Sequence, residues 1–104
     1  MSGWYKDITL YGKTYRIKTA NDQKHKYVAW LASKIDDERT FLSRPVKFGA
    51  YGMEHFKDKF GQFRHLDHND QKRLIAFKSR FGKLYEKNKN NPTSAIYWSW
   101  NYLW

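Results

Sequence analysis

Histidine and aspartate side chains are concentrated in one short stretch in the middle of the chain. His65, Asp67, His68 and Asp70 lie close together, and His55 precedes them. Imidazole and carboxylate groups are good ligands for zinc and other divalent metals, and a loop entering a helix can bring them together. The spacing matches no standard site, such as two histidines four residues apart on a helix. The main prediction is therefore a capped helix start whose side chains bond to local backbone, with a metal site as the alternative.

The same stretch is a weaker candidate for catalysis than for metal binding. The chain contains no cysteine, which excludes a thiolate nucleophile, a thiolate metal site and a disulfide framework. Nothing near the histidines supplies an evident nucleophile or a pocket for an oxyanion. We therefore expect a protein that is not an enzyme and that uses no cofactor.

Basic side chains recur along the segment that surrounds the histidines. The candidate binding set is Lys57, Lys59, Arg64, Lys72, Arg73, Arg80 and Lys83. Cations aligned on one helix neutralise phosphates and release counterions, and they also suit an acidic protein surface. The alternative is the solvated face of an amphipathic helix. No helix-turn-helix, zinc-finger or ribonucleoprotein motif indicates readout of bases.

Aromatic rings crowd the end of the sequence. The candidate interface set is Trp98, Trp100, Tyr102 and Trp104. Such rings suit the core of a small domain, the anchors of a protein interface, or the stacking of single-stranded bases. The short chain favours the core, and an assembly interface comes next.

The composition limits the chain to one small domain. A chain of 104 residues buries about two thirds of its unfolded surface on folding, and aromatic residues, 19% of the total, must fill much of that core. Twenty Lys and Arg against ten Asp and Glu leave a net charge of +10, which favours polyanions or an acidic protein surface as the partner. No stretch approaches the roughly 20 apolar residues that span a bilayer, so we expect a soluble protein without a membrane partner.

The first part of the chain, 1–48, predicts an antiparallel sheet that begins with a hairpin. Apolar and polar residues alternate on both sides of Gly12, and Gly12 and Lys13 are expected to form the two-residue turn. Closing the hairpin there places Leu10 opposite Tyr15 and Ile8 opposite Ile17. One face of the hairpin is then apolar and rests on the core.

Further strands are expected after the hairpin. Residues 27–31 are rich in β-forming types and predict a strand followed by a turn, although 32–39 is also compatible with helix. Two short apolar segments, 40–42 and 46–48, flank Pro45, which suggests an edge strand, a bulge or a break. The sheet would then have three or four strands.

The region 51–88 predicts helices. Met53, Phe56 and Phe60 have helical spacing and indicate a short helix that Gly61 ends. A longer helix is expected to open at 67–70, where short polar side chains accept from free amides. Its predicted apolar stripe, with the basic residues on the opposite side, is Leu74, Phe77, Phe81 and Leu84.

The last segment, 92–104, is expected to form a final helical turn. Pro92 suits its opening, and Thr93 or Ser94 suits its cap. The segment is too aromatic to be left in water, so it either packs on its own domain or docks on another molecule.

The order of these segments resembles a family of small uncharacterised proteins of tailed phages and large DNA viruses. The resemblance covers roughly 26–104 and includes a strand ending in Phe48 and Gly49, a His-x-Asp-x-x-Arg stretch, and a terminal segment with tryptophan. His68, Asp70 and Arg73 match the middle stretch, and Arg80 matches a basic residue near the helix end. Leu74 and Phe81 depart from the family's usual Arg and His, which weakens a metal or catalytic role carried over from the motif. The resemblance implies a viral origin.

Taken together, the sequence predicts a single α+β domain, with an N-terminal antiparallel sheet followed by two or three helices. The expected packing residues of the helices are Phe56, Phe60, Leu74, Phe77 and Phe81. The expected function is that of a non-enzymatic virion or assembly component, located in the virion and in the host cytoplasm during assembly. Its partner would be a larger viral structural protein, with a basic face toward acidic protein or DNA. The alternative is a nucleic-acid-binding protein that acts during infection.

Overall fold

The computed structural model describes residues 4–104, and residues 1–3 of the predicted β region lie outside the described part. Four strands form one antiparallel sheet in the order β1, β2, β3, β4, and helices follow, so the predicted α+β fold is confirmed. The strands are β1 (Tyr5–Leu10), β2 (Lys13–Thr19), β3 (His25–Lys34) and β4 (Thr40–Ala50). A short 3₁₀ turn (Arg64–Leu66) precedes the helices α1 (Gln71–Asn88) and α2 (Ala95–Tyr102).

The first hairpin turns one residue earlier than the sequence predicts. Tyr11 and Gly12 both have positive φ, 53° and 76°, as a two-residue turn of type I′ requires. Ile8 therefore pairs with Tyr15, and Leu10 pairs with Lys13, so the predicted register is wrong. The pairing shifts by two residues, which preserves the alternation, and the apolar side chains still share one face.

The third and fourth strands are longer than the sequence predicts. The strand followed by a turn over 27–39 is confirmed, and β3 continues to Lys34. The two segments around Pro45 form one edge strand, β4, whose register with β3 shifts between Ala29 and Leu31. Arg44, just before the proline, has a positive φ of 51°. The proline therefore lies at an irregularity of an edge strand, where its missing N–H interrupts no regular ladder.

The core lies between one face of the sheet and α2. Trp98 is fully buried, with its ring 5.9 Å from that of Phe48 and 5.7 Å from that of Tyr15. Its indole Nε1 donates a hydrogen bond of 2.7 Å to the carbonyl of Pro92. The other buried members of the core are Ile17, Tyr27, Ala29, Phe60, Tyr97 and Leu103. The final aromatic segment thus packs on its own domain.

The predicted short helix over 51–60 is wrong, because this region is an irregular segment. Its backbone groups bond to distant segments: Lys57 N donates to Leu103 O, and His68 N donates to His55 O. Gly52 and Gly61 adopt φ of 81° and 90°, which a right-handed helix does not contain. Within the segment Phe60 reaches the core, whereas Phe56 is only half-buried.

Helix α1 starts as predicted and packs as an outer helix. The carboxylate of Asp70 accepts from Lys72 N at 2.9 Å and from Arg73 N at 3.4 Å. The helix continues through Gly82, and none of its residues Gln71–Asn88, all described, is buried. Leu84 is 48% exposed, so this predicted stripe position is wrong, and Tyr85 provides the contact with α2 instead.

Neither helix within residues 4–104 combines the length and hydropathy that crossing a bilayer requires.

Candidate functional site

A groove of about 270 Å³ lies between α1, the chain at Met53 and the end of α2. We call it the α1 groove, and its lining residues are Met53, Glu54, Arg73, Ala76, Phe77, Arg80, Phe81 and Trp104. Three residues that the sequence singles out for binding, Arg73, Arg80 and Trp104, converge here. Phe77 and Phe81, which the sequence assigns to packing, and Met53, from the predicted short helix, complete the apolar part.

The apolar floor of the α1 groove is an aromatic stack. The rings of Phe77 and Trp104 lie 4.3 Å apart and only 3° from parallel. Trp104 is held because its backbone N–H and that of Leu103 both donate to Ser99 O at 3.0 Å, while the Leu103 side chain is buried. Phe77 belongs to the predicted apolar stripe of α1, and its stack on Trp104 joins α1 to the residues that follow α2.

The rim of the α1 groove is charged. Arg73 and Arg80 are seven residues apart, which is close to two helical turns, so both lie on the same side of α1. The Arg73 guanidinium donates to Glu54 Oε1 at 2.7 Å, and this contact holds the pKa of the Glu54 carboxyl below its usual value. The Arg80 guanidinium lies 5.9 Å from the ring of Phe81. One arginine is thus paired, and the other lies against an aromatic ring.

This arrangement suits a protein side chain better than an organic cofactor. Small-molecule sites usually enclose roughly 300 to 1,000 Å³, and the α1 groove is smaller than that. Met53 is 61% exposed at its edge, which leaves apolar surface open to a partner. Arginine binds carboxylates with its planar fork of donors. The chemistry of the groove therefore fits an apolar side chain that is followed or preceded by an acidic residue.

The basic residues do not form one patch. On α1, Arg73 and Arg80 line the groove beside the apolar stripe, so the expectation that they lie on the opposite side of the helix is wrong. Lys72 and Lys83 are exposed on the same helix. Lys57 and Lys59 are exposed on the irregular segment, and Arg64 is exposed on the 3₁₀ turn. Of these, the Lys59 ammonium donates to the carbonyl of Asn101 at 2.7 Å and so ties that segment to α2.

The four aromatic residues predicted for an interface divide between two roles. Trp98 belongs to the core, because it is fully buried and cannot reach a partner without unfolding α2, so its assignment to an interface is wrong. Tyr102 is half-buried and stacks on Phe60 at 4.7 Å. Trp100 stacks on Tyr85 at 4.2 Å. Trp104 alone among the four lines the α1 groove.

In the histidine and aspartate stretch, the side chains of Asp67, His68 and Asp70 accept hydrogen bonds from backbone N–H groups. Asp70 caps α1, and His68 Nδ1 accepts from Asp70 N at 2.9 Å. Asp67 Oδ1 accepts from Asp58 N at 2.9 Å and pairs with His55 Nε2. His65 is exposed, and its side chain forms no hydrogen bond with these groups within residues 4–104. Within residues 4–104, no three His, Asp or Glu side chains are placed to hold a metal ion together.

Burial controls the protonation of His55. The side chain is 1% exposed, and this desolvation lowers its pKa from the ordinary 6.5 although Asp67 favours the charged form. Nδ1 of the same ring has no hydrogen-bond partner among residues 4–104, so a proton added there would be buried without an acceptor. We conclude that the imidazole is neutral and donates from Nε2 to Asp67.

A buried polar network that the sequence does not indicate holds the irregular segment against the sheet. Asp58 is 3% exposed, and its carboxylate accepts from the Tyr27 hydroxyl and from the backbone N–H groups of Phe60 and Phe63. Burial, and then the bond to Asp58, raises the pKa of Tyr27. Lys26 is 1% exposed, and its ammonium donates to Met53 O at 2.6 Å. The network therefore fixes the position of Met53 at the edge of the α1 groove.

A second and larger cavity, of about 670 Å³, is lined in part by the sheet. Lys18, Val28 and Lys47 form one row across three strands there. The Lys47 ammonium lies 3.2 Å from Asp22, whose carboxyl has a pKa well below its usual range, chiefly because of its bond to His25. Since this carboxylate offsets a lysine charge, the cavity is the weaker candidate for an anionic partner.

Comparisons with protein-family models, with curated proteins and with solved structures found no match to this chain. The resemblance to small viral proteins therefore stays a prediction from the residue pattern.

Proposed function

We propose that this protein is a non-enzymatic component of a virus particle or of its assembly, and that it attaches to a larger viral structural protein through the α1 groove. The viral setting comes from the order of segments over 26–104. The attachment comes from one observation: the stack of Phe77 on Trp104 forms an apolar floor between Arg73 and Arg80. Aromatic and arginine side chains in such an arrangement are typical of the residues that dominate binding energy at interfaces.

The proposal specifies the chemistry of the partner segment. An apolar side chain would rest on Phe77 and Trp104 and contact the exposed Met53. A carboxylate beside it would meet Arg80, whose guanidinium forms no ion pair among the described residues. A charge-assisted contact of this kind adds orientation as well as affinity.

The test is to measure how much of the protein is incorporated into purified particles by quantitative mass spectrometry. Arg80→Glu reverses the charge at the groove, and Lys83→Glu makes the same change on α1 outside the groove lining. We expect Arg80→Glu to be depleted from particles and Lys83→Glu to be incorporated like the wild type. Equal incorporation of the two variants, or absence of the wild type from particles, would contradict the proposal.

A second candidate function is binding of nucleic acid during infection. It is favoured by a row of exposed cations along α1, namely Lys72, Arg80, Lys83 and Lys87. From Lys72 to Lys87 this row spans about 22 Å of helix, at 1.5 Å per residue. Binding of this type weakens steeply as salt rises, because each phosphate contact releases counterions.

Electrophoretic mobility shifts over a series of salt concentrations test the second candidate. The paired change Lys72→Glu and Lys83→Glu removes two cations from the row outside the groove lining. We expect it to weaken binding and to flatten the salt dependence if nucleic acid is the partner. No mobility shift of the wild type even at low salt would exclude this function.

A further inference from the structure

The hairpin between β3 and β4 extends beyond the rest of the sheet. The last pair between β2 and β3 is Thr14 with Ala32, whereas β3 and β4 stay paired out to Lys34 and Thr40. We call residues 33–41 the hairpin tip, and every residue in it is exposed. The tip therefore projects into solvent with both its faces and its end uncovered.

Local hydrogen bonds order the hairpin tip. Ile35 N donates to Arg39 O at 3.0 Å and closes the loop. Asp36 Oδ1 accepts from the backbone N–H groups of Glu38 and Arg39, and the Arg39 side chain donates to the same carboxylate. Since these bonds fix the loop before any contact is made, binding through the tip would lose little conformational entropy.

The hairpin tip combines exposed apolar side chains with acidic residues, and these groups complement the aromatic floor and arginine rim of the α1 groove. Ile35 and Phe41 are 59% and 57% exposed. Phe41 pairs with Ser33, two residues before Ile35, so both apolar side chains lie on the same face of the hairpin. Asp36, Asp37 and Glu38 are consecutive, and they account for three of only ten acidic residues in a chain of net charge +10. An apolar ring beside carboxylates is the segment that the groove, with its aromatic floor and arginine rim, would accept.

The tip cannot reach the groove of its own molecule. The groove begins at Met53, three residues after β4 ends, and the tip lies at the opposite end of the same strand. Strand β4 has eleven residues, and the ten steps between its ends, at about 3.3 Å each, separate them by roughly 33 Å. The molecule is elongated, 47 Å along its longest axis. A contact between tip and groove must therefore join two copies.

We propose that the hairpin tip of one copy binds in the α1 groove of a second copy, with Phe41 on the Phe77 and Trp104 stack and the acidic residues toward Arg80. This self-association rests on the binding role of the groove given in the proposed function. The two contacting surfaces are different, so the contact is head-to-tail, and a pair of copies keeps one free groove on one copy and one free tip on the other. Such a contact closes into a ring or continues as a filament.

Sedimentation velocity of the purified protein over a range of concentrations tests the inference. We expect the wild type to form species larger than a dimer as concentration rises, and salt to weaken them because the contact pairs acids with arginines. Phe41→Ser damages the tip, and Arg80→Glu damages the groove. Each variant alone should associate about tenfold more weakly or worse, as expected when an anchor residue is lost.

Mixing the two variants is the decisive step. The Arg80→Glu copy keeps an intact tip and the Phe41→Ser copy keeps an intact groove, so the mixture should form a one-to-one dimer and nothing larger. Lys13→Glu, at the first residue of β2, is the matched control and should associate like the wild type. Far-UV circular dichroism and thermal unfolding would establish that all the variants are folded.

Either of two results overturns the inference: a wild type that stays monomeric up to its solubility limit, or a mixture in which the variants fail to restore the dimer. The proposed function is judged separately by the incorporation of Arg80→Glu into particles. A monomeric wild type whose Arg80→Glu variant is depleted from particles would refute self-association and leave attachment to a larger protein intact.

Discussion

Phe77 and Trp104 stack face to face, with ring centroids 4.3 Å apart and an interplanar angle of 3°. Through this pair α1, which has no buried residue in Gln71–Asn88, is held against the end of the folded chain. The same pair forms the floor of the α1 groove. The contact therefore stabilises the fold and, in the proposed function, also supports binding of a partner, and the two effects can be measured separately.

We predict that Phe77→Ala destabilises the protein by about 1 to 3 kcal/mol. Fully buried phenylalanines lose about 3 to 5 kcal/mol on this change, and Phe77 is half-buried. Ile75→Ala, at a side chain 66% exposed on the same helix, should change the stability by no more than about 0.5 kcal/mol. Chemical denaturation monitored by circular dichroism measures both. Equal effects of the two changes would show that the stack contributes nothing to the folded state.

Loss of the buried Asp58 carboxylate should destabilise the protein more than loss of the Phe77 ring. Asp58→Ala leaves the Tyr27 hydroxyl and two backbone N–H groups without their acceptor inside the protein. We expect a loss of about 3 kcal/mol or more in the free energy of unfolding. Tyr27→Phe removes one donor to Asp58 and the acceptor of the Gln62 N–H, and should cost about 1 to 2 kcal/mol. If Asp58→Ala unfolded no more easily than Tyr27→Phe, the network would not hold the irregular segment as described.

The Asp70 cap should stabilise the first turn of α1. Asp70→Ala removes the acceptor for Lys72 N and Arg73 N and should destabilise the protein by about 1 kcal/mol. Asp70→Ser restores a capping oxygen and should recover most of that loss. Hydrogen exchange of the first-turn amides of α1 provides the readout. Exchange rates that are the same in the wild type and in Asp70→Ala would contradict the assignment of the cap.

The stability should fall as the pH drops below about 6.5. Burial lowers the pKa of His55 below its ordinary value of 6.5, and burial also lowers the pKa of His68. In that pH range the unfolded chain binds protons that the folded chain resists, so acid favours unfolding. The stability contributed by neutral histidine is complete above pH 6.5 and is lost progressively toward the lowered pKa values.

Urea denaturation at a series of pH values measures this dependence. His55→Gln removes the contribution of the fully buried histidine and should reduce the slope of stability against pH below about 6.5. His65→Gln, at an exposed position, is the matched control for the loss of a histidine outside the buried pair. A slope that is the same in His55→Gln and in the wild type would show that His55 is not the group that titrates.

The alternation of apolar and polar residues was enough to predict the antiparallel sheet, but not the register of its first hairpin. Ile8, Tyr15 and Ile17 lie on the core face as their spacing predicts. The turn could have formed at either of two neighbouring positions that include Gly12, and the choice depended on whether Tyr11 accepts a positive φ. A sequence pattern of period two does not distinguish registers that differ by two residues.

The irregular segment could not be predicted because distant groups satisfy its backbone. Met53, Phe56 and Phe60 have helical spacing, yet backbone groups of residues 55–59 bond to partners in 66–69 and 102–103. Asp58 stands between two lysines, a pattern that is typical of a solvated surface, and only the fold brings Tyr27 to it. Local propensity therefore favoured a helix that tertiary contacts overrode.

The candidate site was predicted in part. Arg73, Arg80 and Trp104 were recognised because of their residue types, but the sequence did not indicate that they share a groove with Met53. That juxtaposition depends on the Lys26 bond to Met53 O, a long-range contact. Trp98 was included in the candidate interface although the short chain favours a core role for such rings, and its burial separates it from Trp104.

The most direct test of the account is site-specific photocrosslinking from the α1 groove inside assembled particles. A photoreactive amino acid at position 53, which is 61% exposed at the edge of the groove, should crosslink to a defined segment of one larger structural protein that carries an apolar residue beside an acidic one. The same amino acid at position 75, exposed on α1 outside the groove lining, should give no such product. Crosslinks of equal yield from both positions, or none from position 53, would contradict the claim that this protein acts by attaching through the α1 groove.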